Sequence, residues 1–213
     1  MSQLVLFEDE GFVNLLPLTF WRTVFELRVG RKILLDRVAQ QLGRPVAGVW
    51  TREWMAKVAE QRCGTPANRP VPKGTILLNG RWMLEGNRKF PKAPCAGIVG
   101  DVLAFVVCDE RLGKELTPRD LLEPQRRDLA LTDVPRAQVE GRFVQYPWDL
   151  VAGVADCLRG EWQPSDAGME SEVDCRVVLE NKDQIHVGER TLLHPTAVLD
   201  AANGPIYVSH DVT

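Results

Sequence analysis

The order of apolar runs and helical segments in the first part of the chain is the strongest constraint on its fold. Short apolar runs at Leu4–Phe7, Val46–Trp50 and Thr75–Leu78 have the length of buried strands. Residues 31–42 carry apolar residues at helical spacing between the first two runs, and Thr51 is the expected cap of a second, short helix. This alternation predicts an α/β sheet with right-handed crossovers.

Polar residues follow two of the predicted strands. The first strand is followed by the acidic triplet Glu8–Glu10, and the third is followed by Asn79-Gly80-Arg81. Open α/β sheets bind ligands at the carboxyl ends of their strands, so a site is expected here. The triplet is either a magnesium site or an exposed acidic loop. Arg81 either grips a phosphate or belongs to a β-turn made by the Asn-Gly pair.

The loop after the first strand contains a recognisable pattern. Asn14-Leu-Leu-Pro-Leu-Thr19 is followed by Arg22, and Glu26-Leu-Arg28-Val-Gly30 precedes the first helix. With Pro-Trp-Asp-Leu at residues 147–150, this pattern resembles the sugar-1-phosphate nucleotidyltransferases. It is most similar to a divergent bacterial branch related to the GlmU uridyltransferase/acetyltransferase. The resemblance implies a Rossmann-like (GT-A-like) α/β mixed sheet over residues 1–162.

The resemblance also implies an activity and a set of site residues. A sugar 1-phosphate would attack the α-phosphate of a nucleoside triphosphate, releasing pyrophosphate and forming a nucleotide-sugar. Such catalysis depends mainly on positioning and charge neutralisation, with Mg²⁺ as the expected cofactor. The implied residues are Arg22 and Arg28 as catalytic groups, Asn14, Thr19, Asn79, Gly80 and Arg81 in substrate binding, and Asp9 and Asp149 as metal ligands.

The sequence departs from the pattern of typical members at three places. Residues 7–13 contain one glycine where those enzymes have a glycine-rich loop, Thr23-Val24 replaces a Pro-Lys pair, and Arg81 replaces the metal-binding aspartate of a Gly-Asp pair. These departures favour an alternative, in which the chain is a catalytically inactive binding module for a nucleotide or sugar phosphate. An interaction domain without a small ligand stays open as a third hypothesis.

The spacing of apolar residues over 146–160 predicts a helix, which we expect to close the first domain. Its inward face is expected to consist of Trp148, Val151, Ala155 and Leu158. Asp149 lies in the first turn of this helix. There it is either a metal or ribose ligand, as the resemblance implies, or an acid that the helix dipole favours.

The last part of the chain has a six-residue period. Aliphatic residues recur at Val187, Leu193 and Leu199, and again at Val208 after a three-residue insertion. The period resembles the hexapeptide repeat of a left-handed parallel β-helix and implies its first coil. The predicted division is a nucleotidyltransferase-like domain (1–162), a linker (163–184) and a truncated β-helix (185–213). Because so few repeats are unstable alone, we expect a fragment of a longer protein, with a homotrimer as an option for that longer form. The alternative is that the single coil packs on the α/β domain or swaps with a partner chain.

Composition narrows the functional classes. The 213 residues are 45% apolar and 26% charged, as in ordinary globular proteins, and the net charge of −3 argues against a nucleic-acid partner. No signal peptide or membrane-spanning run is visible. Five scattered cysteines indicate reduced thiols and predict a cytoplasmic protein. His186, His194 and His210 lack the spacing of a metal motif. The sequence identifies neither the base nor the sugar.

Overall fold

The computed structural model describes residues 2–84 and 89–213. The chain divides into two compact units, residues 1–151 and 152–213, and each is described by itself. The predicted boundaries at residues 162 and 184 stay predictions.

The first unit contains short strands and short helices. Its strands are β1 (Leu4–Phe7), β2 (Arg28–Val29), β3 (Lys32–Ile33), β4 (Gly48–Trp50), β5 (Ile76–Asn79), β6 (Trp82–Met83), β7 (Cys95–Val99), β8 (Val102–Val107), β9 (Arg136–Gln138) and β10 (Arg142–Phe143). Its helices are α1 (Leu34–Leu42), α2 (Ala56–Cys63), α3 (Glu110–Glu115), α4 (Pro118–Leu122), α5 (Pro124–Ala130) and α6 (Pro147–Ala152). Short 3-10 turns cover Glu10–Leu15, Val24–Glu26 and Glu53–Met55.

The central sheet is mixed and mostly parallel. Its strand order among the described residues is β4-β1-β5-β8-β7-β9. Strands β4, β1 and β5 are parallel, β7 and β9 are parallel, and β8 runs antiparallel to both of its neighbours. Phe7 lies between Trp50 and Asn79 in the register, so three neighbouring strands end at one edge. This arrangement confirms the α/β prediction and is compatible with a Rossmann-like fold.

Both faces of the sheet are covered. Val5 and Phe7 of β1 pack in one hydrophobic cluster with Leu112 of α3 and Leu121 of α4. Neighbouring residues of a strand point to opposite faces, and the remaining β1 residues are also buried. A strand buried on both faces is expected to be continuously apolar, which is why β1 has no alternating pattern.

Local boundaries differ from the predictions in understandable ways. The first helix begins at Leu34 rather than at residue 31, because Lys32 and Ile33 pair with β2. Thr117 is the N-cap of α4, and Pro118 is its first residue. Pro124 begins α5 two residues after the end of α4, since proline is well tolerated at the first helical position.

The predicted apolar face of residues 146–160 is wrong. Helix α6 ends at Ala152, and a separate helix α7 (Val154–Glu161) follows Gly153. Trp148 and Val151 are 65% and 73% exposed, whereas Leu150 is buried. The prediction assumed one continuous helix with one phase, and the break at Gly153 removes that assumption.

The second unit contains parallel strands after α7. They are β11 (Gly168–Met169), β12 (Val178–Glu180), β13 (Ile185–Val187), β14 (Val198–Asp200) and β15 (Ile206–Val208). The parallel sheets are β11-β13-β15 and β12-β14. The segment predicted as a linker thus contributes β11 and β12, which are too short to leave a periodic signal. No helix of the described chain is long and apolar enough to cross a membrane.

Candidate functional site

The polar residues that follow β1, β4 and β5 meet at one edge of the sheet. Glu8 and Asp9 follow β1, Thr51 and Arg52 follow β4, and Arg81 comes two residues after the end of β5. All five are buried, with exposures of 5% or less. Buried charges are tolerated only when they are paired, and the structure pairs all of them.

Glu8 and Arg52 form the first buried ion pair. The Arg52 Nε lies 3.1 Å from Glu8 Oε2, and Nη2 lies 3.3 Å from Oε1. The Thr51 hydroxyl also donates to Glu8 Oε2, and the Val24 amide donates to Oε1 at 2.9 Å. Glu8 therefore joins the end of β4 to the turn that begins at Val24.

Arg52 fixes the loop between β1 and β2. Its Nη1 donates to the carbonyl of Thr19 at 2.9 Å, and its Nη2 donates to the carbonyl of Arg22 at 3.0 Å. The guanidinium carbon also lies 4.3 Å from the ring centre of Phe12 and 4.6 Å from that of Trp54. Cation–π contacts of this kind add to the hydrogen bonds. One buried side chain thus holds several points of the loop in place without a glycine-rich sequence.

Asp9 and Arg81 form the second buried pair. Arg81 donates from Nε to Asp9 Oδ1 at 2.7 Å and from Nη2 to Oδ2 at 2.6 Å, a bidentate geometry. The side-chain amide of Asn79 donates to Asp9 Oδ2 at 2.7 Å, and the backbone amide of Gly11 donates to Oδ1 at 3.1 Å. The Nη1 of Arg81 donates to the Val144 carbonyl at 3.0 Å. Four donors therefore surround the Asp9 carboxylate.

The predicted residues of the loop have different environments. Asn14, Arg22 and Arg28 are exposed, whereas Thr19 is buried and donates its hydroxyl to the Phe12 carbonyl at 2.9 Å. The Arg28 side chain donates to the Arg31 carbonyl. The structure therefore leaves the side chains of Asn14 and Arg22 accessible and commits that of Thr19 to the loop itself.

Asn79, Gly80 and Arg81 act as structural groups in this conformation. Asn79 donates to Asp9 and to the Leu103 carbonyl, and it accepts from the Arg81 amide. A Cβ at Gly80 would lie 2.8 Å from the ring of Phe25, so this position requires close approach of the backbone. Together they connect the end of β5 to β1 and β8.

Asp149 and Asp9 have different hydrogen-bond partners. Its Oδ2 accepts from the amides of Gln145 and Tyr146, both at 2.8 Å, which is how an acid in the first turn caps a helix. Within the described residues, no group of three or more His, Cys, Asp or Glu side chains could hold a metal ion. With four donors on Asp9 and two on Asp149, the predicted pair does not form a ready site for a hard cation, which needs free carboxylate oxygens.

A cavity of about 400 Å³ opens beside the end of β4. It is lined by Thr51, Arg52, Glu53, Asn68, Thr117, Pro118, Arg119 and Leu122. Pockets for small ligands have volumes of roughly 300–1,000 Å³ and occur at the carboxyl ends of strands in α/β sheets. Its position and size are those of a ligand site.

The α4 side of the cavity is fixed by a capping box. Asp120 accepts from the amide and the hydroxyl of Thr117, at 2.9 and 2.6 Å, and from Arg126 Nε at 3.0 Å. Burial by itself would raise the pKa of Asp120, but these hydrogen bonds outweigh it and lower the pKa below its usual value. The box therefore holds Asp120 ionised and the start of α4 in place.

Sequence reasoning missed Arg52, the role of Thr51 and the cavity, and it expected Glu8 in a magnesium site or an exposed loop, whereas Glu8 is buried and paired with Arg52. Thr51 was predicted to cap a helix, but its hydroxyl donates to Glu8, and the turn after it begins at Glu53. The rule that ligands bind at the carboxyl ends of strands, if extended from β1 and β5 to β4, would have indicated Thr51 and Arg52. The α4 wall has no such signal, since it comes from a distant part of the chain.

Comparison with known proteins identifies one family. A family model described as sugar nucleotidyl transferase matches residues 4–164 of the chain. The match contains β1, β4 and β5, both buried ion pairs and every residue that lines the cavity. A search of curated proteins found no match to the chain.

Proposed function

The chain belongs to the sugar nucleotidyl transferase family, and we propose that it forms a nucleotide-sugar from a nucleoside triphosphate and a sugar 1-phosphate. The observation that carries this proposal is the family match over a segment whose loop and cavity lie at the carboxyl edge of the sheet. A phosphate oxygen of the sugar 1-phosphate attacks the α-phosphorus. The bond from that phosphorus to the bridging oxygen breaks, and pyrophosphate leaves with the electron pair.

Arg22 and Arg28 are the proposed phosphate-neutralising groups. Both are exposed and lie in the segment between β1 and β3, so their guanidinium groups are accessible to a bound triphosphate. The backbone at Arg22 is held by Arg52, which lowers the entropy cost of placing the side chain against developing charge. Asn14, exposed in the same loop, is a proposed substrate contact. Thr19 supports the loop through its bond to Phe12.

Mg²⁺ stays a proposal for the nucleotide-bound state. Magnesium is commonly bound by one or two carboxylates together with the phosphates of the substrate. The donors that surround Asp9 do not fit a direct ligand in the described conformation. Mg²⁺ is therefore proposed to enter the site already bound to the phosphates of the triphosphate. A titration of Mg²⁺ against the protein alone and with the triphosphate tests this, since binding to the protein alone would contradict it.

Pyrophosphate release tests the transferase proposal. Wild-type protein is incubated with each nucleoside triphosphate and a panel of sugar 1-phosphates, and Arg22→Ala is compared with it. Loss of one transition-state contact to charge commonly costs about 10²–10³-fold in kcat. The control is Arg111→Ala, which removes an exposed arginine of α3 that is paired with Glu115 at 3.5 Å. Equal turnover in the two variants would refute the role of Arg22.

A second candidate is a binding module without turnover. The observation in its favour is that Asp9 and Arg81 neutralise each other at 2.6 Å. Neither group is then available for the substrate in this conformation. This candidate predicts that nucleoside triphosphates bind but that no sugar 1-phosphate yields pyrophosphate. Turnover with any pair of substrates would eliminate it.

We also propose that the second unit is part of a left-handed β-helix. Gly168 pairs with His186 eighteen residues later, which corresponds to three hexads, and Ile185 pairs with Ile206 across the three-residue insertion. Val187 is fully buried, and Leu193, Leu199 and Val208 pack on the same cluster. An experimental structure of the full chain tests the handedness, and a right-handed coil would contradict the proposal.

A further inference from the structure

Most polar groups that line the cavity beside β4 are already bonded to the protein. The Asn68 side chain accepts from the Thr51 amide at 2.8 Å and donates to the Thr51 carbonyl at 3.0 Å. The Thr51 hydroxyl is bonded to Glu8, and the Thr117 hydroxyl is bonded to Asp120. These groups shape the wall but have little capacity left for a ligand.

Two charged side chains that line the cavity, those of Glu53 and Arg119, can still form hydrogen bonds to a ligand. In the described part of the chain, no donor is bonded to the Glu53 carboxylate, which is exposed. Arg119 is bonded through Nε to Glu123 at 2.6 Å, and among the described residues its two terminal nitrogens have no acceptor. Both residues line the same cavity, which therefore offers a ligand a carboxylate acceptor and a guanidinium donor.

The remaining wall is suited to a flat, weakly polar ring. Pro118 and Leu122 are apolar. A sugar ring carries a hydroxyl on nearly every carbon and would need several free partners, of which the lining offers two. A nucleobase has apolar faces and concentrates its donors and acceptors on one edge. A base therefore matches this cavity better than a sugar does.

The cavity also lies beside the loop that carries Arg22. Arg52 lines the cavity, and its Nη2 is bonded to the Arg22 carbonyl at 3.0 Å. Arg52 therefore connects the wall of the cavity to the backbone at Arg22, the proposed phosphate-neutralising residue.

We propose that the cavity between β4 and α4 is the base subsite of the nucleotide, and that Glu53 and Arg119 select guanine. Guanine presents two N–H donors and a carbonyl oxygen in a row, which complement a carboxylate and a guanidinium. Uracil presents one donor between two carbonyl oxygens, cytosine separates its amine from its carbonyl by an acceptor nitrogen, and adenine has no carbonyl. The inference rests on the proposed function for its ligand class.

Calorimetric titration of the full chain with GTP, ATP, UTP and CTP tests the subsite. Wild type is expected to bind GTP at least about tenfold more tightly than the others, because a bond to a charged group contributes about 1.5–3 kcal/mol. Glu53→Gln should remove most of that preference, and Asp133→Asn, at an exposed position on the same unit, should leave it unchanged. Leu122→Trp fills the cavity and should weaken GTP binding about tenfold or more, whereas Leu129→Trp, at a 79% exposed position of α5, should not.

The outcomes separate the subsite from the transferase activity. Tightest binding of another triphosphate, or unchanged GTP affinity in both Glu53→Gln and Leu122→Trp, would overturn the inference. If Leu122→Trp does not fold, Glu53→Gln alone decides. Pyrophosphate release with a KM for GTP that Glu53→Gln leaves unchanged would support the transferase proposal and contradict the subsite. GTP binding that depends on Glu53, without pyrophosphate release, would support the subsite and contradict the transferase proposal. No binding of any triphosphate would contradict both.

Discussion

Replacing Arg81 with methionine is expected to lower the free energy of unfolding by about 3–5 kcal/mol, because it leaves a buried carboxylate without its counter-ion. The side chains of Arg81 and Asp9 are 5% and 1% exposed, and two bonds of 2.6 and 2.7 Å join them. After the substitution, Asp9 retains the donors of Asn79 and Gly11 among the described residues. Asp9→Asn combined with Arg81→Met removes both charges, so the double variant should be more stable than Arg81→Met alone.

Urea unfolding followed by tryptophan fluorescence measures this effect. Trp50 and Trp82 are buried in the first unit and report on it. Arg111→Met is the control, because the pair of Arg111 with Glu115 is 3.5 Å long and its side chains are 45% and 65% exposed. Such surface pairs contribute about 0–1 kcal/mol. A loss below about 1 kcal/mol for Arg81→Met would refute the reasoning and indicate that Arg81 is available for a ligand.

Further predictions concern backbone packing, pH and thiol reactivity. Gly11→Ala should destabilise the first unit in urea, since its Cβ would lie 2.1 Å from the Arg81 guanidinium, whereas Gly160→Ala, with open space around it, should not. Asp120→Ala should cost about 1 kcal/mol near neutral pH. Because the pKa of Asp120 is lowered in the folded state, that difference is complete above the unfolded pKa of about 3.9 and should shrink as the pH falls below it. In a thiol-labelling time course at pH 8, exposed Cys175 should react first; Cys108 should react only on unfolding, because burial raises its pKa to about 12 and leaves about 10⁻⁴ of it as thiolate.

The sheet was predictable from the sequence to the extent that its strands are apolar and long. The run Leu4–Phe7 coincides with β1, and the run Thr75–Leu78 overlaps β5. Strands β11 and β12 have two and three residues, carry no period and lie in the segment predicted as a linker. The break at Gly153 was missed because an apolar spacing that continues through a glycine looks like one helix.

The site was predictable in position but not in pairing. The polar residues after β1 and β5 were expected at one edge, and they lie there. The sequence could not show that Asp9 and Arg81 bond to each other, since they are far apart in the chain and both roles, ligand contact and buried ion pair, require the same residue types. Arg52 was missed for a related reason, because its partners are Glu8, which is distant in the chain, and two backbone carbonyls, which have no sequence signature.

The central claim, that this chain binds a nucleoside triphosphate at the carboxyl edge of its sheet, is tested most directly by thermal unfolding with a panel of triphosphates and nucleotide-sugars, with and without Mg²⁺. A ligand at a hundred times its Kd stabilises a protein by about 2.7 kcal/mol. In a chain of this size that raises Tm by roughly 5–10 °C. We predict a shift of this size that depends on the base. The absence of a shift for every member of the panel at millimolar concentration would contradict the claim.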